Sequence, residues 1–183
     1  MQLENSFEVP APPEAAWALL NDVPRVVPCL PGAELTEVVG ENAWKATVGV
    51  KLGPIALQFL ADVTRQDADE AARQVELAVK AREARGRGGA TATISSSLVE
   101  VDDGTRVSLV TELDLQGPVA QYGRGVVGSV AAELTRQFAE CLAERLRTGE
   151  DAPSSGQAAK PVGGLRLALR GIWSSLGRVV RRG

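Results

Sequence analysis

The residues that could do chemistry are few and badly placed for it. Ser95, Ser96 and Ser97 offer three hydroxyls in a row, yet the 183-residue chain contains no histidine, the commonest general base and the commonest metal ligand. A serine without a base is a poor nucleophile. Asp102 and Asp103 precede Gly104 in a turn sequence, and Asp67, Asp69 and Glu70 read as a solvated hairpin tip. The run Gly86-Arg87-Gly88-Gly89 has the glycines of a phosphate-cradling loop but neither its Gly-Lys-Ser/Thr ending nor the helix that should follow. Cys29 and Cys141 lie far apart without a neighbouring ligand cluster, so they signal neither a zinc site nor a disulfide framework. Both read as small core or cavity-wall groups in a reduced protein. The chain therefore reads as a binding protein and not an enzyme, with no metal and no covalent cofactor.

The strongest chemical pattern lies at the far end. Wound at 100 degrees per residue, Leu165 to Arg182 divides into two faces. Leu165, Leu169, Ile172, Trp173, Leu176, Val179 and Val180 form one stripe, and Arg166, Arg170, Arg178, Arg181 and Arg182 lie opposite, with Leu167 alone out of place. A helix docked on the protein's own surface could carry the same stripe. The uniformly positive polar face, with Trp173 suited to the headgroup boundary, favours an anionic membrane surface instead. Spanning is excluded, because a transmembrane helix needs about 20 predominantly apolar residues and these arginines are spread along the segment. Gly163, Gly164, Gly171 and Gly177 each weaken a helix by about 1 kcal/mol relative to alanine, so the tail is expected to order only on lipid.

Charge is divided along the chain. The net charge is −3, but no Asp or Glu follows Asp151, whereas Lys160 and the five tail arginines do. Residues 1–151 thus carry −9 and the remainder +6. An acidic body is repelled by an anionic bilayer except through its basic tail. Arg82, Arg85 and Arg87, with Glu83 among them, are too small a patch on such a body to indicate nucleic acid. Met1 to Pro10 lacks the apolar h-region of a secretory signal, so a cytoplasmic protein is expected, peripheral on the inner face of the cell membrane.

These features need elements to position them. Residues 149–164 are rich in Gly, Pro and Ser and read as a flexible linker, spanning about 22 Å root mean square, between a body of residues 1–148 and a tail helix at 165–183. Within the body, Gln2 to Val9 reads as a strand. Pro12, Pro13 and Glu14 open a helix that ends near Asn21, and Pro24, Pro28 and Pro31 make a bent corner. From Trp44 to Leu115 apolar residues alternate with period two, as in Ile55-Leu57-Phe59-Ala61-Val63, Val75-Leu77-Val79-Ala81 and Ala90-Ala92-Ile94. Gly53-Pro54, Gly86 to Gly89 and Asp102-Asp103-Gly104 supply turns. Gly117-Pro118 then begins a helix of roughly 30 residues, about 45 Å long, with Val119, Tyr122, Val126, Val127, Val130, Leu134, Phe138, Cys141 and Leu142 on its apolar stripe. The sheet requires a cover on one face, and this helix is the candidate.

Gly123, Gly125 and Gly128 weaken that helix and call for a reason: close packing of its backbone on the sheet, or room for a ligand beneath it. Ala90, Ala92 and Ser96 repeat the small-residue theme on a strand face. Such a face cannot fill the space under a long helix to normal density, so an apolar cavity is expected.

Several segments together resemble the carbon monoxide dehydrogenase G-subunit family of the START-like (SRPBCC, helix-grip) superfamily. They are Val9-Pro10-Ala11-Pro12-Pro13-Glu14 with Trp17-Ala18-Leu19-Leu20-Asn21-Asp22, Pro28-Cys29-Leu30-Pro31-Gly32-Ala33-Glu34, Gly53-Pro54-Ile55, and the run from Gly117 to Gly125. The resemblance covers residues 2–147. It implies an α+β helix-grip fold, a curved antiparallel sheet wrapped around a long C-terminal helix with an apolar tunnel between. It also implies association with an aerobic carbon monoxide dehydrogenase or related molybdenum hydroxylase, and either recruitment of that enzyme to the membrane or binding of a respiratory quinone. The 16 arginines against 4 lysines suggest a GC-rich genome; in an actinobacterium the quinone would be menaquinone. A carried quinone is expected to place its head near Cys29, Leu30, Pro31 and Tyr122 and its tail along Phe59, Leu77, Ile94, Val126, Val127 and Val130. The alternatives are an adaptor that recruits the dehydrogenase without carrying a ligand, and an enzyme of the cyclase or hydrolase type, which the missing histidine disfavours.

Overall fold

The computed structural model describes residues 1–52 and 55–149. The expected Gly53-Pro54 turn, the expected linker after Gly149 and the expected amphipathic helix at 165–183, with every residue expected to bind the membrane, lie outside the described residues. Seven strands form one antiparallel sheet in the order β1-β7-β6-β5-β4-β3-β2: β1 Gln2–Val9, β2 Ala33–Gly40, β3 Ala43–Leu52, β4 Ile55–Asp69, β5 Gln74–Glu83, β6 Gly89–Val101 and β7 Gly104–Gln116. The meander β2 to β7 follows chain order, and β1 closes beside β7 with Leu3 opposite Thr111 and Asn5 opposite Leu109. Register shifts at Leu35/Glu37 and Val38/Gly40 in β2 and at Arg65/Asp67 in β4 bend the strands there.

Between β1 and β2 lies the corner. Extended Pro12 and Pro13 at the first helical position start α1, Pro13–Leu20, which buries Ala16 and Leu19. It stops at Asn21, whose Nδ2 donates to the Trp17 carbonyl at 3.0 Å. The Asp22 side chain then accepts from the Arg25 backbone N–H, opening the four-residue α2, Val23–Val26, and a 3-10 turn at Val27–Cys29. The fully buried Thr105 donates its hydroxyl to the Ala11 carbonyl at 2.7 Å, pinning this corner to the start of β7.

The long helix is shorter than its sequence pattern. Residues Gly117–Tyr122 form a 3-10 segment between two glycines of positive φ, Gly117 and Gly123, and α3 runs over Gly123–Thr148. Its 26 residues span about 39 Å at 1.5 Å each. Gly149, left-handed at φ 62°, caps it with an N–H to the Arg145 carbonyl.

The solid core lies under only the second half of α3. Val9, Ala16, Leu19, Val26, Cys29, Leu98, Val107 and Leu142 pack together, flanked by Phe138, Cys141 and Leu146 from α3. Phe138 meets Phe7 edge to face, ring centres 6.0 Å apart. Contrary to the sequence reading, Cys29 and Cys141 form a disulfide, with Cα atoms 5.3 Å apart across 112 residues of sequence. Sequence separation is blind to this meeting, because the returning helix lays its second half over the 3-10 turn that carries Cys29.

Candidate functional site: an apolar cavity beneath the helix

Strand pairing decides which residues share the concave face. Val48 lies opposite Phe59 and Val50 opposite Leu57 on β3 and β4; Ala61, Ala81 and Ala90 pair in a row across β4, β5 and β6. Alternation then places Val79, Ile94, Leu109, Thr111, Leu113 and Leu115 on the same side. With Leu3 and Asn5 of β1 and Val119, Val127, Val130, Ala131, Leu134 and Thr135 from the helical segments, these residues enclose a cavity of about 380 Å³. That volume lies toward the small end of the about 300–1,000 Å³ typical of small-molecule sites. The row of alanines is why the space stays empty: none reaches across to α3.

The glycines of α3 do not serve closeness to the sheet. A Cβ on Gly123 or Gly125 would meet nothing within 4 Å, and one on Gly128 only Leu3 Cδ2 at 4.0 Å. Of the two explanations for their presence, close packing is removed.

The lining is chemically bare. Among the described residues no ionisable side chain faces the cavity, and its polar groups are Asn5, Thr111 and Thr135. None of these three makes a side-chain hydrogen bond among the described residues. No set of three Cys, Asp or Glu side chains comes together there as metal ligands. Such a wall can solvate an apolar molecule and offer it a few hydrogen bonds.

The loop after β5 is organised by a carboxylate to which the sequence reading gives no role of its own. Glu83 is buried, its side chain 1% exposed. It accepts from the backbone N–H groups of Arg85 and Arg87 at 2.9 and 3.0 Å and from the Arg87 guanidinium at 3.0 Å. The Arg87 side chain is the main reason the Glu83 carboxyl is held down to a pKa of about 2; burial opposes the shift, and the two backbone donors reinforce it. Beside it Gly88, at φ 119°, passes so close to the segment entering α3 that a Cβ would lie 2.1 Å from the Gln116 carbonyl oxygen. The Gly-rich run is therefore a tight turn against the helix entrance, not a phosphate loop.

A family model described as the G subunit of carbon monoxide dehydrogenase (CoxG) matches residues 6–147, the greater part of the chain. The chain belongs to the CoxG family. No curated protein matches the sequence. Among solved structures, a conserved protein from Geobacillus kaustophilus is similar with a TM-score of 0.73 at 22% identity, covering 81% of this chain and 97% of that one. A START superfamily protein from Mycobacterium smegmatis has a TM-score of 0.56 at 15% identity, covering 81% and 99%. The Zhui aromatase/cyclase from Streptomyces sp. R1128 has 0.59 at 16%, covering 85% and 99%. These likenesses establish the START-like helix-grip fold, with the curved sheet and long helix the sequence pattern implied. The CoxG assignment and the apolar cavity together support a role in binding a hydrophobic ligand.

The CoxG chain divides its expected ligand contacts. Phe59, Ile94, Val127 and Val130 line the cavity, whereas Cys29, Leu30, Pro31, Leu77, Tyr122 and Val126 are not among its lining residues. Cys29 is consumed by the core and the disulfide, in the turn that also carries Leu30. Leu77 shares the concave face with Val79 but sits further along β5, opposite Ile94. Val126 is 44% exposed, on the outer side of α3. Asn5, Thr111 and Thr135 were missed. Carrying the parity of Ile94 across its partner Thr111 to Leu3, and on to Asn5, finds the two that lie on strands.

Proposed function

We propose that this CoxG-family protein carries a hydrophobic ligand, a respiratory quinone such as menaquinone, between the membrane and an aerobic carbon monoxide dehydrogenase-type molybdenum hydroxylase. The observation that carries the reading is the empty, uncharged cavity between the alanine row and α3. A prenylated quinone is nearly insoluble, so delivering it to a water-soluble enzyme requires a wall of this kind. The name of the family supplies the partner class. No helix among the described residues is long and apolar enough to cross a membrane, and attachment is assigned to the arginine-faced tail, with the protein peripheral on the inner face of the cell membrane. On this reading the protein is a carrier and not a catalyst, and its only cofactor-like group is the bound quinone.

The test is native mass spectrometry of the full chain purified gently from quinone-containing cells, followed by incubation with anionic vesicles loaded with menaquinone. One quinone per chain is expected, acquired from the vesicles if absent at first. A chain that stays empty in both experiments while still holding the dehydrogenase at vesicles is an adaptor, and the carrier reading falls.

A further inference from the structure

The polar groups of the cavity are gathered in one place. Thr111 lies opposite Leu3, and Asn5 opposite Leu109, so Asn5 and Thr111 are diagonal neighbours on the same face of β1 and β7. Thr135 joins them from α3, and Asn5 and Thr135 also line an open groove on the outer side of the β1–α3 seam. The cavity thus has a polar corner at the protein's edge, while its far wall, Val48, Val50 and Leu57, is purely apolar.

We infer that Asn5, Thr111 and Thr135 form a head-group subsite for a neutral carbonyl- or hydroxyl-bearing head, with the apolar tail directed across the sheet toward β3 and β4. This rests on the carrier reading and places the head away from Cys29, Leu30, Pro31 and Tyr122, where the sequence alone leads one to expect it. All three side chains can donate a hydrogen bond, and none spends one within the protein among the described residues. A quinone oxygen, which only accepts, satisfies them. A carboxylate or phosphate head would lose its hydration without gaining a cation, which is strongly unfavourable. Arg136 in the adjoining groove does not supply one, because it is held by Glu133 at 2.6 Å and Glu140 at 2.5 Å. The class of ligand is therefore a neutral prenyl lipid and not a fatty acid or phospholipid.

The test measures binding of a short-chain menaquinone, of squalene as a headless isoprenoid and of palmitate to the full chain and to the triple variant Asn5→Leu, Thr111→Val, Thr135→Val. The wild type is expected to prefer the quinone to squalene by about tenfold or more, the worth of two neutral hydrogen bonds, and to reject palmitate. The variant should lose that preference, keep squalene, and melt no lower than the wild type, since unpaired polar groups have been replaced by apolar ones in an apolar wall. A purely structural trio would instead lower the melting point and leave the preference intact. A folded variant that still prefers the quinone, or a wild type that takes palmitate as well, overturns the subsite while the carrier reading stands. A wild type that binds neither quinone nor squalene overturns both.

Discussion

Replacing Ala81 by leucine asks whether the space beneath α3 is a real void. Ala81 is the middle member of the row Ala61–Ala81–Ala90, and all three face the cavity. Leucine adds three carbons, which at about 0.8 kcal/mol per buried methylene yields a gross gain of about 2.4 kcal/mol. Fixing its rotamer costs about 0.5–1 kcal/mol. The ligand-free domain should therefore gain about 1.5 kcal/mol, a rise in Tm of roughly 3–6 °C for a domain of this size. In a solidly packed interior the same insertion forces neighbours off their rotamers and costs about 1–3 kcal/mol, so the sign of the change is decisive. Urea denaturation of wild type and variant measures it, with the m-value confirming that both unfold alike. A titration with an apolar fluorescent dye on the same samples should show weaker uptake in the variant. Lower stability with undiminished dye binding would refute the cavity as a ligand space.

Three further outcomes follow from particular residues. The Glu83 carboxyl has its pKa lowered from 4.5 to about 2 in the folded protein, so its contribution to stability is complete above pH 4.5 and is lost as pH falls toward 2; Glu83→Gln should flatten the Tm-against-pH curve in that window, and an unchanged slope would show that the loop is held otherwise. Gly125→Ala and Gly128→Ala introduce methyls that clash with nothing, so each should stabilise the domain by about 0.5–1 kcal/mol and, by stiffening the first half of α3, slow ligand exchange in stopped-flow. Faster exchange would place the entrance elsewhere. The Cys29–Cys141 bond closes a separation of 112 residues, which the chain-entropy model values at about 4–5 kcal/mol: reduction or Cys141→Ala should lower Tm markedly, and a thiol assay of air-oxidised, denatured protein should find no free thiol until reductant is added.

The meander was legible because its strands alternate cleanly over long runs, and α1 because Pro12, Pro13 and Glu14 mark its start. β2, Ala33–Gly40, was not separated from the corner. It is an edge strand whose side chains are mostly exposed, including Val38 and Val39 at 57% and 53%, so burial left no alternation to read. The extent of α3 was overstated because Val119 continues the apolar stripe, although Gly117 and Gly123 adopt positive φ and confine residues between them to a 3-10 segment. The cavity was foreseeable from Ala90 and the helix glycines. Its polar corner was not, since Asn5 and Thr135 are brought together only by the packing of α3 against β1, a contact between the two ends of the body. The disulfide failed for the same reason, its partners being joined by tertiary packing alone.

On the carrier reading proposed above, the division of α3 into a packed half and a hollow half bears on how the ligand can both load and be released. Leu142 and Phe138 anchor the C-terminal half in the core, and Cys141 ties it to the corner, while the glycine-bearing half spans the cavity with little beneath it. A prenyl tail moving from bilayer to this cavity exchanges one apolar surrounding for another, because lipid tails are as apolar as leucine, so the tail itself contributes almost no directional free energy. A cavity of about 380 Å³ would moreover enclose only part of a long tail unless the gap beneath α3 widens. What separates loading from release must then come from two local terms, the hydrogen bonds a head gains at Asn5, Thr111 and Thr135 and the work of displacing the glycine-weakened half of α3. Both are small, of order 1 kcal/mol per hydrogen bond and per glycine, and a transfer protein requires that smallness: a ligand held by much more would leave the bilayer readily and never reach the enzyme that is to use it.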